Sequence, residues 1–251
     1  MQPVARIVLN CDCGEGFVSD DEAILPYVTA ANIACGGHAG DECTMRVVLR
    51  LCKKYGVSPG AHPAYPDRAH FGRVEVPLSA AELAATVRKQ VGLLLTLAQQ
   101  EGVRLTHVKP HGALYQHLIQ DETAAAAFAQ ALAELDPRFA VIGQPDSALL
   151  HAAEAVGLRP LREAVADRVY ERDSLSRNRA LPSPIPLEDD SACLAQALDI
   201  VLRGQVRACD GTLLAIQADT ISIHSDTPGA VRRARALSEG FRAAGIALLG
   251  L

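Results

Sequence analysis

The chain has 251 residues, of which 49% are hydrophobic and 4% aromatic, and it contains no Trp. This length and apolar content suffice for one large α/β domain, so we expect residues 1–251 to form a single domain. The formal net charge is −5 and no cluster of Lys or Arg stands out, so neither nucleic acid nor an anionic membrane is an expected partner. No apolar run fits a membrane span or a signal peptide, so we expect a cytoplasmic protein.

Short apolar segments alternate with amphipathic segments along the chain. The apolar segments predict strands at Arg6–Cys11, Ala30–Cys35, Ser58–Ala61, Thr106–Lys109, Ala140–Gly143, Pro160–Val165 and Thr220–His224. The amphipathic segments predict helices at Glu42–Tyr55, Ala80–Glu101, Thr123–Leu135, Ser147–Val156, Asp189–Arg203 and Pro228–Ala244. This repetition favours a closed (β/α) barrel of about seven parallel strands over an open doubly wound sheet.

The segment Glu171–Glu188 is the one irregular stretch, rich in proline and charge, and it predicts a long surface loop or lid. Neither a G-x-G-x-x-G motif nor a P-loop occurs, so the sequence offers no familiar loop for independent ATP binding. The seven cysteines form no Cys-x-x-Cys pair, which indicates buried free thiols rather than a zinc knuckle or a cysteine nucleophile.

The segment Leu105–Tyr115, LTHVKPHGALY, places three polar side chains at the end of one predicted strand. Side chains alternate along a strand, so His107, Lys109 and His111 share one face, and Pro110 ends the strand. Burial of two imidazoles and an ammonium on one strand face costs free energy, and a function would explain that cost. A functional role is therefore favoured over a purely structural one.

Polar residues also follow the other predicted strands. They are Asp12 and Glu15 after the first strand, Asn32 and His38 after the second, His62 and Arg73 after the third, Arg168 after the sixth, and His224 and Asp226 after the seventh. Because the carboxyl ends of parallel strands meet at one end of a barrel, we expect these side chains to surround one cleft.

Several of these residues have more than one interpretation. Lys109 either has a lowered pKa beside the imidazoles or binds an anion, and Arg168 either pairs with Asp167 or binds a carboxylate or phosphate. Asp226 fits a helix cap as well as a site residue. A divalent metal is compatible with the sequence, as is a metal-free acid–base set, and the candidate ligands are Asp12, His38, His62 and His111.

Seven segments, in this order along nearly the whole chain, together resemble the LamB/YcsF family. They are Leu9–Phe17, Ala31–Asp41, Gly60–Asp67, Phe71–Arg73, His107–Tyr115, Ala166–Tyr170 and His224–Pro228. The resemblance implies a (β/α) barrel related to glycoside hydrolase and polysaccharide deacetylase barrels. It also implies ATP-dependent hydrolytic opening of 5-oxo-L-proline (pyroglutamate) to L-glutamate, by one component of a 5-oxoprolinase that works with partner subunits B and C.

The resemblance carries the strand-end residues over as site residues. As a hypothesis for the implied reaction, Asp12 or Glu15 is the general base, and protonated His62 or His111 donates a proton to the leaving nitrogen. Lys109 and Arg168 bind phosphate or the substrate carboxylate. The residues expected to bind substrate are Asn32, His38, Arg73, Arg168, His224 and Asp226.

Two other functions remain open from the sequence. One is a metal-dependent hydrolase that acts on an amide or an N-acyl sugar without ATP. The other is a non-catalytic component whose cleft binds oxoproline for its partners. The sequence is also compatible with a homo-oligomer.

Overall fold

The computed structural model describes residues 4–16, 18–172, 180–187, 189–225 and 228–251. The strands are Arg6–Cys13 (β1), Ala30–Ala34 (β2), Ser58–His62 (β3), His107–Val108 (β4), Ala140–Gly143 (β5), Arg159–Val165 (β6), Arg168–Arg172 (β7), Ala180–Pro186 (β8), Gln205–Arg207 (β9), Leu213–Ala215 (β10), Thr220–Ile223 (β11) and Ala247–Leu248 (β12). The helices are Val18–Ile24 (α1), Glu42–Tyr55 (α2), Ala80–Gln100 (α3), Gly112–Gln120 (α4), Glu122–Leu135 (α5), Ala148–Ala155 (α6), Asp190–Arg203 (α7) and Ala230–Ala243 (α8), with a 3₁₀ turn at Leu25–Tyr27.

Seven parallel strands form a closed barrel, as the sequence predicts. Their order is β1-β2-β3-β4-β5-β6-β11, and pairing of β11 with β1 closes the sheet. Each strand is short and almost wholly buried, because helices cover the outer face of the barrel and side chains fill its interior. The carboxyl ends of all seven strands therefore meet at one end.

Local signals explain where the main helices begin. The Asp41 side chain accepts a hydrogen bond from the backbone of Thr44 at the start of α2. Ser79 and Glu82 form a capping box at the start of α3. The predicted α2 and α3 match the observed helices to within one residue at each end.

The predicted loop at Glu171–Glu188 is wrong for the part that the structure describes. The last two residues of β7 and all of β8 lie in this segment, and the two strands pair in antiparallel fashion. Residues 173–179 and 188 lie outside the described residues. Prolines cannot donate to a sheet ladder, so a proline-rich segment gives little strand signal. A two-stranded ribbon outside the barrel needs few backbone N–H donors and therefore tolerates prolines.

The opposite end of the barrel is covered by the C-terminal segment. β12 pairs with Arg6 and Ile7 of β1. Leu251 packs against a small apolar cluster at this end, formed by Ala140, Ile142 and Leu161. The functional cleft is therefore confined to the carboxyl ends of the strands.

Two further observations bear on the predictions from composition. All seven cysteines are free thiols, five of them buried, while Cys43 and Cys209 are exposed. Of the helices in the described part of the chain, none combines the length and the apolar character that crossing a membrane requires.

Candidate active site

Polar side chains fill the carboxyl-terminal part of the barrel interior. None of them is more than 6% exposed, and they are Asn10, Asp12, Asn32, His62, His107, Lys109 and Glu163. A barrel core tolerates so many buried polar groups only if they satisfy one another. The contacts among them form one continuous network.

Lys109 is the central cation of this network. Its Nζ lies 3.1 Å from Oδ1 of Asp12, 2.9 Å from Oε1 of Glu163 and 3.4 Å from Oδ1 of Asn10. Burial lowers the pKa of Lys109, but the charges of Asp12 and Glu163 outweigh burial and raise the pKa above its usual range. The alternative of a lowered pKa for Lys109 is therefore wrong. An ammonium has three donors, and all three are directed at these neighbours.

Asp12 is held as a carboxylate by its surroundings. Asn32 Nδ2 donates to Oδ1 of Asp12 at 2.8 Å, and Nε2 of His62 lies 3.4 Å from Oδ2. Burial raises the pKa of Asp12, but the charges of His62 and Lys109 hold it well below the usual range for a carboxyl group. Asp12 is therefore an ionised group fixed at the end of β1.

His107 fixes the orientation of Asn32 and does not reach the cleft. Its Nε2 donates to Oδ1 of Asn32 at 2.9 Å, while Nδ1 lies 2.9 Å from the hydroxyl of Thr106. Burial and the charge of Lys109 lower the pKa of His107 to about 3, so the ring is neutral. His107 thereby turns the Asn32 amide so that its nitrogen faces Asp12.

Three imidazoles and one carboxylate form a compact group above this network. Oε1 of Glu15 lies 2.8 Å from Nε2 of His38, 3.3 Å from Nδ1 of His111 and 3.8 Å from Nε2 of His62. Nε2 of His62 lies 3.0 Å from Nδ1 of His111. The rings of His38 and His111 stack at a centroid distance of 3.7 Å. Four residues from four separate segments thus meet within a few ångströms.

The net shift in pKa differs among the three imidazoles. Burial and the charge of His62 lower the pKa of His38 to about 3 and the pKa of His111 to about 2. Burial also lowers the pKa of His62, but the charge of Asp12 outweighs it and the net shift is upward. Among the three rings, His62 therefore carries a proton most readily.

The turn at Phe71–Gly72 positions His111. Phe71 has a φ of 56° and Gly72 a φ of 65°, both in the left-handed region. A Cβ on Gly72 would lie 2.8 Å from Cβ of His38, so the close approach requires glycine. This turn brings the carbonyl of Phe71 to 2.9 Å from Nε2 of His111, which donates to it.

The turn after β1 positions Glu15. Gly14 has a φ of 75° and Gly16 a φ of 156°, so glycines on both sides permit the reversal that brings Glu15 over the barrel. The backbone N–H of Gly14 donates to Oδ2 of Asp21 at 3.0 Å. Burial raises the pKa of Asp21 to about 6, although the hydrogen bond from Gly14 opposes that shift.

A second polar group lies between β6 and β11. Oδ1 of Asp167 lies 2.9 Å from Nδ1 of His224, and Oδ2 accepts from the backbone N–H of His224 at 3.1 Å. Nη1 of Arg168 lies 3.2 Å from Oδ2 of Asp167. Burial raises the pKa of Asp167, but hydrogen bonding to His224 and its charge lower it overall. The His224 side chain is 31% exposed and contributes to the electrostatics of Asp12.

The structure brings most of the predicted site residues together. The residues in the joined network and imidazole group are Asp12, Glu15, Asn32, His38, His62, Lys109 and His111. Arg168 and His224 form the adjacent group with Asp167, and exposed Arg73 lies over the ring of Phe71 with its guanidinium carbon 5.2 Å from the centroid. Asp226 lies outside the described residues.

Glu163 is a site residue that the sequence reasoning did not select. It lies in β6 within the apolar segment LREAVA and pairs with Lys109. A lone acid on the inward face of an apolar barrel strand was the available signal, because such a charge requires a buried partner. The candidate metal ligands in the structure differ by one residue from those predicted from the sequence. The four residues whose ligand atoms lie within 4.8 Å of one another include Glu15 in place of Asp12.

Comparison with known proteins identifies the family. A family model described as the LamB/YcsF family matches residues 7–251. A protein from Chloroflexus aggregans, named as the A subunit of 5-oxoprolinase, is 52% identical over 244 residues, covering 96% of each chain. A Bordetella pertussis protein of the same name is 43% identical over 246 residues, covering 96% of this chain and 97% of the other. The chain belongs to the LamB/YcsF family.

A solved structure supports the same conclusion. The lactam utilization protein from Thermus thermophilus has a TM-score of 0.89 and 37% identity, covering 98% of this chain and 100% of the other. The predicted resemblance to the LamB/YcsF family and the predicted barrel are therefore both confirmed. In this LamB/YcsF protein the described residues of the motif segments supply the polar groups at the carboxyl ends of the strands.

Proposed function

We propose that this chain is the A subunit of a 5-oxoprolinase, which opens 5-oxo-L-proline to L-glutamate with ATP and works with subunits B and C. The observation that carries the proposal is the similarity to relatives named as the A subunit of 5-oxoprolinase, at 43–52% identity over 96% of this chain. A charged site buried at the ends of parallel strands supports a catalytic role over simple binding, because perturbed ionisable groups cluster at active sites.

The chemistry of a lactam explains why ATP is proposed. An amide carbonyl is a poor electrophile, and transfer of the terminal phosphoryl group to the lactam oxygen makes its carbon reactive. Addition of one water and cleavage of the ring C–N bond then give an acyl phosphate and a free amine. A second water releases phosphate, so the products are L-glutamate, ADP and phosphate.

Asp12 is the proposed general base for the attacking water. It is ionised, and Lys109 and Asn32 fix its orientation at the rim of the barrel. Its low pKa means that it accepts the water proton only as the new C–O bond forms. Lys109 is directed at buried partners, so we propose that it stabilises the Asp12 carboxylate instead of binding phosphate itself.

His224 is the proposed general acid for the leaving nitrogen. Its Nδ1 donates to Asp167, which leaves Nε2 as the nitrogen that can transfer a proton. His62 and His111, the candidates from the sequence, each use one ring nitrogen to donate to a backbone carbonyl, and their remaining nitrogens face each other. Arg168, beside His224, remains the proposed group for the substrate carboxylate or phosphate.

Glutamate release from 5-oxoproline tests the proposal directly. The purified chain is assayed with ATP, alone and with subunits B and C, beside an Asp12→Asn variant. Asp12→Asn is expected to lower turnover by about 10²–10⁴-fold while the fold is retained. Asp199→Asn is the matched control, because Asp199 pairs with Arg203 on the surface of α7, and this substitution should leave turnover unchanged.

Other outcomes of this assay would favour one of the two alternative functions. Turnover of an amide or N-acyl sugar without ATP would replace the proposal with a metal-dependent hydrolase. Glutamate release that needs the partners but does not change with Asp12→Asn would indicate a non-catalytic component that binds oxoproline. Absence of glutamate release with all three components and ATP would refute the proposed function.

A further inference from the structure

One ring nitrogen of His62 faces one ring nitrogen of His111. His62 Nδ1 lies 2.7 Å from the carbonyl oxygen of Lys109, and His111 Nε2 lies 2.9 Å from that of Phe71. A carbonyl oxygen only accepts, so these two nitrogens carry protons. Nε2 of His62 and Nδ1 of His111 face each other at 3.0 Å, and Nε2 of His62 also lies 3.4 Å from Oδ2 of Asp12. A positive charge therefore has to lie between the two nitrogens, either as a second proton on His62 or as a metal ion that both bind.

The spacing of the four donor atoms fits one metal ion. Two ligands at about 2.1 Å from a tetrahedral ion lie about 3.4 Å apart. The contacts among Glu15, His38, His62 and His111 are 2.8, 3.0, 3.3 and 3.8 Å, and all four donor atoms lie within 4.8 Å of one another. These four spacings bracket about 3.4 Å, and because the rings of His38 and His111 stack in parallel, one ring has to turn for both to bind the same ion.

The carboxylates around this group favour a cation. Asp12, Glu15 and Glu163 are three acidic side chains close together in or above the barrel, and Lys109 is the ammonium that faces two of them. A cation among the imidazoles would be attracted to the carboxylates of Asp12 and Glu15. A proton shared between the facing imidazoles supplies one positive charge, whereas a divalent ion supplies two.

The donor types select the class of ion. Three imidazole nitrogens and one carboxylate oxygen suit Zn²⁺ and similar transition-metal ions, whereas Mg²⁺ and Ca²⁺ prefer oxygen ligands. The backbone carbonyls that accept from His62 and His111 resemble the hydrogen bonds that orient metal-ligating histidines. We infer that Glu15, His38, His62 and His111 bind one divalent transition-metal ion of the Zn²⁺ class, beside the Asp12 carboxylate.

Direct metal analysis tests the inference. The full chain is stripped with a chelator, dialysed against Zn²⁺ and freed of unbound ion, and zinc is measured per chain by mass spectrometry. One ion per chain is expected for the wild type. Loss of a residue that hydrogen-bonds to a metal ligand weakens metal binding by about 10–100-fold. His62→Asn and His111→Asn remove the ligand itself, so each is expected to weaken zinc binding by more than that. His151→Asn, an exposed position on α6, is the matched control and should bind as the wild type does.

A spectroscopic measurement guards against loss of folding. Co²⁺ in place of Zn²⁺ should give a visible absorption band in the wild type and in His151→Asn, and no such band in His111→Asn. Circular dichroism reports whether each variant is folded, and Glu15→Gln, on the turn after β1, replaces any histidine variant that is not. Absence of zinc from the wild type, or equal zinc in the wild type and all folded ligand variants, would overturn the inference.

A role of the ion in the reaction rests on the proposed function, but the binding measurement does not use the reaction. A chain that binds Zn²⁺ through these residues and releases no glutamate overturns the proposed function alone. A chain that releases glutamate with its partners and binds no ion overturns the metal site alone.

Discussion

Replacing Lys109 with Met removes the ammonium that lies between two buried carboxylates. Asp12 and Glu163 both lie within 3.1 Å of the Lys109 nitrogen, and all three side chains are almost fully buried. Met has a similar length, so the loss is mainly one of charge pairing. Removing one partner of a buried ion pair costs about 3–5 kcal/mol. With a urea slope of about 3 kcal/mol/M, the unfolding midpoint should fall by about 1–2 M.

The pH dependence of this loss distinguishes electrostatics from packing. In the wild type the pKa of Asp12 is lowered, so its contribution to stability is present above the pKa of the unfolded chain and is lost as pH falls. In Lys109→Met the ammonium that lowers the pKa of Asp12 is gone and the Glu163 carboxylate repels that of Asp12, so acid relieves the variant's penalty. The difference in unfolding free energy should therefore be largest near pH 7 and shrink toward about pH 4.

Urea unfolding followed by circular dichroism at several pH values measures both effects. Lys109→Met/Glu163→Gln is the control, because removal of the second charge should restore part of the lost stability. A loss for Lys109→Met that is the same at pH 7 and at about pH 4, and that the second substitution does not reduce, would refute the electrostatic account of this network.

Three further predictions concern other parts of the site. Burial raises the pKa of Asp21 to about 6, so the contribution of Asp21 to wild-type stability should fall as pH rises from about 4 to 6, and Asp21→Asn should gain stability relative to the wild type over that range in urea unfolding. A Cβ on Gly60 would lie 2.3 Å from the His107 ring, so Gly60→Ala should cost about 1–3 kcal/mol in thermal unfolding, whereas Gly92→Ala inside α3, with its nearest atom at 3.9 Å, should be neutral or stabilising. Asp167→Asn should lower kcat for glutamate release by about 10²-fold or more and alter its pH profile, with KM little changed, because Asn is uncharged and accepts only one of the two hydrogen bonds from His224; an unchanged pH profile would contradict this role.

The barrel was predictable because its signals are local. Each strand is a short apolar run between helices, and the handedness and order of such units follow general rules. The predicted strand at Thr106–Lys109 is observed only as His107–Val108, yet the backbone N–H groups of Lys109 and His111 still donate to carbonyls beside β3. Those bonds keep the three polar side chains of this segment directed inward.

The partners within the site were less predictable because they depend on long-range register. Lys109 follows β4, whereas Asp12 and Glu163 belong to β1 and β6, and no local pattern specifies how far each side chain reaches across the barrel. The placement of Glu15 over the imidazoles depends on a turn between two glycines, which the sequence permits without fixing its direction. The positions of the strand ends therefore predicted which residues form the candidate site better than they predicted which of those residues contact one another.

The closure of the barrel has a consequence for synthesis of the chain. Thr220 on β11 donates to the carbonyl of Val8 on β1, and the two residues are 212 positions apart. At about 5–20 residues per second, the ribosome needs about 10–40 s to produce the second strand after the first. During that interval one edge of β1 has no neighbour to pair with, and an unpaired apolar strand edge is a template for aggregation. The edge of β1, the strand that contains Asp12, is therefore a place where the nascent chain needs protection.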